Sequence, residues 1–294
     1  MSALTATRTA PTRPSRPRRL LTGLAWLVIT AVVVAAFWSV QLDWSALADF
    51  PARLVKYLGL MFLPPNWAKL PDAFAATMES VAMAWFGTVL AVIVSFPLSL
   101  LATRGLAPAI VRWPLRGVFA VIRAVPEVVI AILMLSVTGL TPFTGALAIA
   151  IGSIGTLGKW GYESFEGVDA GPIEAATATG GSRSQIMRWG VLPSAMPDLF
   201  AFWLYRFEIN VRASAILGLI GAGGIGRMLT DNVQFRLWST VGILLLVVVV
   251  VTMIIDQISG LVRNRLIHGR WEFPLVARIT RARSRRTSAA TRAR

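Results

Sequence analysis

"EAATATGGSRSQIMRWGVLP", residues 174–193, is a polar, helix-forming stretch with a double-glycine break, set in a chain whose other long segments are apolar. Pro172 suits the first turn of a helix, the alanines extend it, and Gly180 and Gly181 can end it in a left-handed cap. Ser182 and Gln185 then have the spacing of a capping box for a second helix, "SQIMRWGVL", which Pro193 is expected to close. The pattern predicts two short helices joined by a hinge. Neither can cross a bilayer, and neither has the apolar moment of a membrane-surface helix, so the element is free to present a face to a soluble partner. A plain re-entrant connector is the alternative.

The surroundings of this stretch explain why its polarity stands out. The chain has 294 residues, 55% of them hydrophobic and 15% charged, with no cysteine. That balance does not suit a water-soluble globule and excludes disulfide frameworks and cysteine-based metal sites. The net charge of +15 could suggest nucleic acid, but ten of the 29 basic residues follow Leu261 and five precede Leu20. Charge gathered at the chain ends suits cytoplasmic tails on a bilayer better than a nucleic-acid surface.

Six apolar runs are long enough to be read as spans: residues 20–40, 81–101, 118–139, 140–157, 199–219 and 237–258. The first is too long for a signal-peptide core and no small-residue cleavage site follows it, so it reads as an uncleaved span. An even number of spans puts both termini on one side, and the arginine-rich ends make that side cytoplasmic. Residues 41–80 hold four acids against three bases, as an outer loop allows. Residues 102–116 and 159–197 then lie inside. Trp38, Trp44 and Trp67 on one side, and Trp113, Trp160 and Trp271 on the other, can form interfacial belts, with core packing the alternative for each. The organisation expected is a basic cytoplasmic arm (1–19), a first span and outer loop (20–76), a main transmembrane domain (77–261) with its cytoplasmic loop at 162–197, and a basic tail (262–294) too poor in apolar residues to fold.

Some motifs mislead. "GAGGIG" (221–226) has the letters of a dinucleotide fingerprint, but a membrane span precedes it and Leu246 stands where the ribose-binding acid belongs. A tight backbone turn at the outer face is the better reading. "GSIGTLGKW" (152–160) suggests a phosphate-binding loop, yet Ser153 replaces its first glycine and Trp160 its hydroxyl residue. The chain therefore has no ATP site of its own. The lone His268 cannot build a metal site or a catalytic triad and reads as interfacial filler.

Charges inside the spans are costly, about 2.5–3.5 kcal/mol each on insertion scales, so they face a bundle interior or a water-filled path. Arg123 and Glu127 flank Pro126, four apart on one face of the third expected span, where they could pair and where the proline can kink the helix. Arg206, Glu208 and Arg212 lie in the fifth, with Glu208 and Arg212 again four apart. An intrahelical ion pair and a translocation-path or gate role both remain open for these residues.

Glu174-Ala175-Ala176, followed by Gly180 and then by Leu192-Pro193, resembles the EAA loop of type I binding-protein-dependent ABC importers. In that family the first short helix couples to a groove in a separate ATPase subunit. One departure is Gly190, which stands where the family usually has isoleucine two places before the leucine. "RAVPEVV" (123–129) and "YRFEINVRASAILGLIGAGGIGRML" (205–229) resemble the membrane subunit of phosphonate importers, and methionine-type and betaine-type permeases share the glycine-rich segment. The resemblance covers residues 77–261. It implies an all-α polytopic membrane protein of about six transmembrane helices with the type I importer permease fold, in the bacterial cell membrane. It further implies a homodimer, partner ATPase subunits that use ATP and Mg, and an extracytoplasmic binding protein that delivers phosphonate or a phosphite-like oxyanion. This chain would hold no cofactor, no metal and no catalytic residue. Glu174, Ala175, Ala176, Gly180, Leu192 and Pro193 would couple to the ATPase. Arg123, Glu127, Arg206, Glu208 and Arg212 would line the path, with Gly221, Gly223, Gly224 and Gly226 shaping an outer gate. A permease for methionine, another amino acid or a quaternary amine is the alternative within transport. A secondary transporter or channel, which would need no ATPase, is the alternative outside it.

Overall fold

The computed structural model describes residues 19–39 and 44–268. The expected basic arm before Arg19, the tail beyond His268 with Trp271, and the side chains of Trp44 and His268 lie outside the described residues. Among those described, the regular structure is helical, with no strand. The chain divides into two compact units, Met1–Lys56 and Tyr57–Arg294.

In the first unit, α1 (Arg19–Ser39) is apolar all round, and none of its 18-residue stretch Thr22–Ser39 is buried. A helix without a polar face and without protein cover is a helix for lipid. α2 (Trp44–Phe62) falls in the expected outer loop and reaches into the second unit.

The second unit is built around α3 (Leu70–Ala102) and α6 (Pro142–Glu166). α3 starts well before the expected residue 81, because Pro71 and Asp72 in its first turn favour a helix start and "AFAATMES" contains nothing to break one. α6 is longer than the expected span 140–157. Its glycines recur at 152, 155, 158 and 161, the seam that the sequence offers as a false phosphate loop. A Cβ at Gly155 would lie 2.9 Å from the Phe119 carbonyl oxygen, and one at Gly161 would lie 2.6 Å from Ser99 Cβ. A Cβ at Gly158 would run into the Phe119 ring. On α3, Gly87 faces α6, with 2.7 Å between its would-be Cβ and the Ala146 carbonyl. Small residues let these backbones close together, which is how helices associate where lipid removes the hydrophobic drive.

The third expected span does not exist as one kinked helix. α4 (Ala109–Ala124) stops one residue short of Val125, which is extended (φ −88°, ψ 124°) as a residue before proline prefers, and α5 (Glu127–Thr138) leaves at 90°. Among the described residues, three helices are long and apolar enough to cross a membrane, or up to five if each bent pair is one span. The count of about six included α6, whose Gly, Ser and Thr residues lower its apolarity and are mostly packed inside protein.

The quoted stretch also departs from its reading in one respect. α7 (Ala170–Ala178) ends as expected at Gly180 with φ +74°, and the Ser182–Gln185 capping box opens α8 (Arg183–Ile186). Pro193 then closes nothing: α8 passes through a π turn (Met187–Val191) directly into α9 (Leu192–Leu217). The Leu192 N–H bonds the Met187 carbonyl five residues back, and the wider turn accommodates the proline, which has no N–H to give. A second π turn (Gly218–Ala222) leads to α10 (Gly224–Gln234). α11 (Trp238–His268) stays helical past the expected boundary at 262, because "VRNRLIH" contains no glycine or proline to stop it.

Buried side chains form separate clusters along the bundle. Ala73, Ile225, Ile243 and Leu244 join α3, α10 and α11. Ile130, Ile149 and Leu217 join α5, α6 and α9. Phe165, Val191 and Leu199 fix the end of α6 against the start of α9, with Phe96 of α3 packed on them.

Candidate functional site

The structure brings the expected site residues into three places. The first is the surface element α7. Glu174 and Ala175 are exposed, Ala176 is half-buried, and Glu174 makes no ion pair among the described residues. Gly190 is buried directly beneath: a Cβ there would lie 3.0 Å from the Pro172 carbonyl oxygen and 3.5 Å from Ala176 Cβ. The glycine is thus the seat on which α7 rests. Leu192 packs into the cluster with Phe165 and Leu199, whereas Pro193 is exposed. Trp189, 71% exposed, stands next to α7 with Arg188 over its ring at 5.3 Å. A large aromatic left bare on a polar element suits an interface, and a residue inside the motif's variable gap gives no signal of this from spacing alone.

Gly190→Ile tests the seat. The carbonyl it would strike is backbone and cannot turn aside, so α7 must lift, at the ~1–3 kcal/mol of an overpacked site. Limited proteolysis between α6 and α8 should accelerate in the isoleucine variant while the transmembrane core stays folded. Unchanged cleavage would mean that α7 does not depend on this contact.

The second place is a buried polar network. Arg206 of α9 is ion-paired with Glu127 at the start of α5, and its Nε donates to Ser153 Oγ of α6 at 3.0 Å. Asn210 Nδ2 donates to Ser153 Oγ at 3.0 Å and to Thr88 Oγ1 of α3 at 2.8 Å. Four helices are tied in one chain of bonds, with Ser153 and Asn210 wholly buried. Gly152 makes room for it: a Cβ there would lie 2.8 Å from Glu127 Cγ. The expected pairing of Glu127 with Arg123 is not made. The break at Val125 and Pro126 turns α5 away, so the four-residue spacing no longer shares a face, and Arg123 is exposed without an ion pair among the described residues. Glu208 and Arg212 do not pair with each other either. Both reach α11, Glu208 to Arg263 and Arg212 to Asp256 at 3.2 Å. Ser153, Asn210, Thr88, Asp256 and Arg263 are the members that sequence reading missed. A polar residue inside an apolar run, as Asn210 is in α9, was the available signal.

The third place is the glycine turn. Gly221, Gly223 and Gly224 have φ of +102°, +95° and +62°, a region that favours glycine, so the backbone-turn reading of "GAGGIG" holds. The turn bends the path from α9 to α10 by 56°. Glu79 and Ser80 of α3 serve the free N–H groups at the head of α10: Gly224 N donates to Glu79 Oε1 at 3.2 Å and Ile225 N to Ser80 Oγ at 3.0 Å. A carboxylate and a hydroxyl at a helix N-terminus satisfy groups that the helix cannot pair itself.

Residues 95–268 match the family described as binding-protein-dependent transport system inner membrane component. The chain is 36% identical over 256 residues to a phosphate-import permease protein of Mycolicibacterium smegmatis, covering 86% of this chain and 48% of that protein, so it spans about half of that relative. It is 36% identical over 240 residues to a Stutzerimonas stutzeri protein assigned to a phosphite transport system, covering 81% of this chain and 84% of that one. Among solved structures, the inward-facing MetNI methionine ABC transporter shares the fold with a TM-score of 0.62 at 18% identity, over 69% of this chain and 100% of that chain.

Proposed function

Because the chain belongs to the inner membrane components of binding-protein-dependent transport systems, we propose that it is the permease subunit of an ATP-driven importer that carries phosphonate or a phosphite-like oxyanion into the cytoplasm. It is a multi-pass membrane protein of the type I importer permease fold. Separate ATPase subunits bind ATP and Mg and hydrolyse the nucleotide, an extracytoplasmic binding protein delivers the oxyanion, and a second copy of this chain completes the pathway. Both termini lie in the cytoplasm, the side that the arginine-rich ends favour.

One observation carries the coupling reading: α7 sits on Gly190, and that segment continues through the π turn into α9 without a break. A push on α7 by an ATPase is therefore delivered to the helix that carries Arg206, Glu208 and Arg212. ATP-driven closure of the ATPases would bias the bundle between inward-open and outward-open arrangements. The glycine turn, held to α3 by Glu79 and Ser80, would act as the outer gate.

Glu174→Lys reverses the charge of an exposed residue, and Gly180→Pro imposes φ near −65° where the chain has +74°. Each should reduce ATP-driven oxyanion uptake into proteoliposomes by at least about fivefold, the lower end of typical coupling energies, with membrane insertion intact. Wild-type uptake in either variant would remove the coupling assignment. Cargo is decided separately, by which binding protein stimulates the ATPase: one loaded with phosphonate or phosphite, or one loaded with methionine.

A further inference from the structure

α2 is a 19-residue helix whose two faces differ. At 100° per residue, Phe50, Leu54, Leu58 and Met61 fall on one side, and Asp49, Arg53 and Lys56 fall on the other. Phe50, Leu54 and Leu58 are 58%, 46% and 45% exposed, and Asp49 pairs with Arg53 at 3.0 Å along the polar side. Among the described residues Phe50, Leu54 and Leu58 stay exposed, while Met61, at the end of this face, is half-buried against α11.

Several observations say what covers this face. Four residues separate the end of α1 from the start of α2, and the five steps from Ser39 to Trp44 reach at most about 18 Å, so α2 starts near the rim of a lipid-facing span. The other end is held at the first turn of α11, a second apolar span: Tyr57 meets Trp238 edge-on with ring centroids 4.9 Å apart, Gly242 admits the Met61 backbone, and Asn66 N donates to the Ser239 carbonyl at 3.3 Å. α2 itself is not a span. It carries three charges, and Pro51 leaves the Leu47 carbonyl without its helical partner, a cost in hydrocarbon that water removes at headgroup depth.

We propose that α2 lies in the membrane interface, in the headgroup–acyl boundary on the side where α1 ends, with Phe50, Leu54 and Leu58 toward the acyl chains and Asp49, Arg53 and Lys56 toward water. The inference rests on the multi-pass membrane reading and not on the coupling or cargo assignments.

The chain has no cysteine, so single cysteines report without background. The full chain, assembled with its ATPase in phosphatidylethanolamine–phosphatidylglycerol vesicles, would carry a nitroxide at Asp49, Phe50, Arg53, Leu54, Lys56 or Leu58, with Val33 of α1 as the reference inside the bilayer. Collision with oxygen against a water-soluble nickel chelate gives depth. Labels at Phe50, Leu54 and Leu58 should favour oxygen at about 5–10 Å below the headgroups, and those at Asp49, Arg53 and Lys56 should favour nickel. Nickel access at all six sites with Val33 still favouring oxygen would overturn the interfacial helix alone. Oxygen preference at all six would make α2 a span. Shielding of the apolar sites only after the extracytoplasmic binding protein is added would make this face a protein dock and overturn the proposal. Nickel access at Val33 as well would take down the membrane reading of this unit along with it.

Discussion

Replacing Glu127 with leucine should destabilise the folded permease by about 3–5 kcal/mol, the cost of leaving one partner of a buried pair alone. The effect should be larger than that of removing the other partner. Arg206 is the more buried of the two, 8% exposed against 25% for Glu127, and a guanidinium keeps its charge. With Glu127 gone, that charge stays between α5, α6 and α9 with only the Ser153 hydroxyl to receive it. With Arg206→Met, the carboxylate that remains can reach water or take up a proton. The double variant Glu127→Leu/Arg206→Met should recover much of the loss, since a buried pair replaced by apolar residues of similar volume is often neutral. The measurement is equilibrium unfolding in mixed detergent for the wild type, both single variants and the double. A double variant no more stable than Glu127→Leu would show that the pair is not coupled as the structure has it. The same cycle separates structure from the transport proposed above: a stable double variant that fails in the uptake assay would place the pair on the path as well as in the core.

This pair also marks where sequence reading stops. Arg206 and Glu127 are 79 residues apart, and nothing local to either names the other. Periodicity and spacing offered nearer partners, Arg123 for Glu127 and Arg212 for Glu208, on the premise that each run was one regular helix. That premise failed at Val125–Pro126, where the chain turns by 90°; α9 is regular from Glu208 to Arg212, but there the partners stand on α11. Features that rest on local backbone chemistry were legible. The cap at Gly180, the Ser182–Gln185 box and the positive φ at Gly221, Gly223 and Gly224 each depend on a few adjacent residues. Pro193 misled because a proline stop assumes a regular α-turn, and a π turn absorbs the ring. Gly190 looked like a defect in the EAA pattern until Pro172 was seen lying on it. The α6 glycines imitated a phosphate loop for a related reason: close backbone approach demands glycine whether the approaching group is a phosphate or the carbonyl of Phe119.

Gly226→Ala is expected to prevent the glycine turn from forming. The added Cβ would fall within the van der Waals shell of the Ala215 carbonyl oxygen and 2.7 Å from Gly218 Cα. Both groups are backbone, on a turn whose ends are fixed by α9 and α10, so neither can rotate away. Gly218→Ala meets the same wall from the other side, at 2.5 Å from the Gly223 carbonyl oxygen and 2.8 Å from Gly226 Cα. Each variant should cost at least about 3 kcal/mol, the upper end of overpacking, and should lower the yield of folded protein. Gly221→Ala separates crowding from conformation. Its new methyl group meets the flexible end of Leu140, and its cost should come from φ +102°, about 1–3 kcal/mol of backbone strain. Gly171→Ala, in α7 with nothing within 4 Å, should instead be neutral or stabilising by about 0.5–1 kcal/mol. Unfolding midpoints that rank Gly226 and Gly218 as most damaging, Gly221 as intermediate and Gly171 as harmless would show that the turn is a backbone-to-backbone contact. Equal tolerance at Gly226 and Gly171 would mean that the turn opens freely. If this turn is the outer gate proposed above, it has few intermediate positions, because a contact that admits no Cβ is either made or broken.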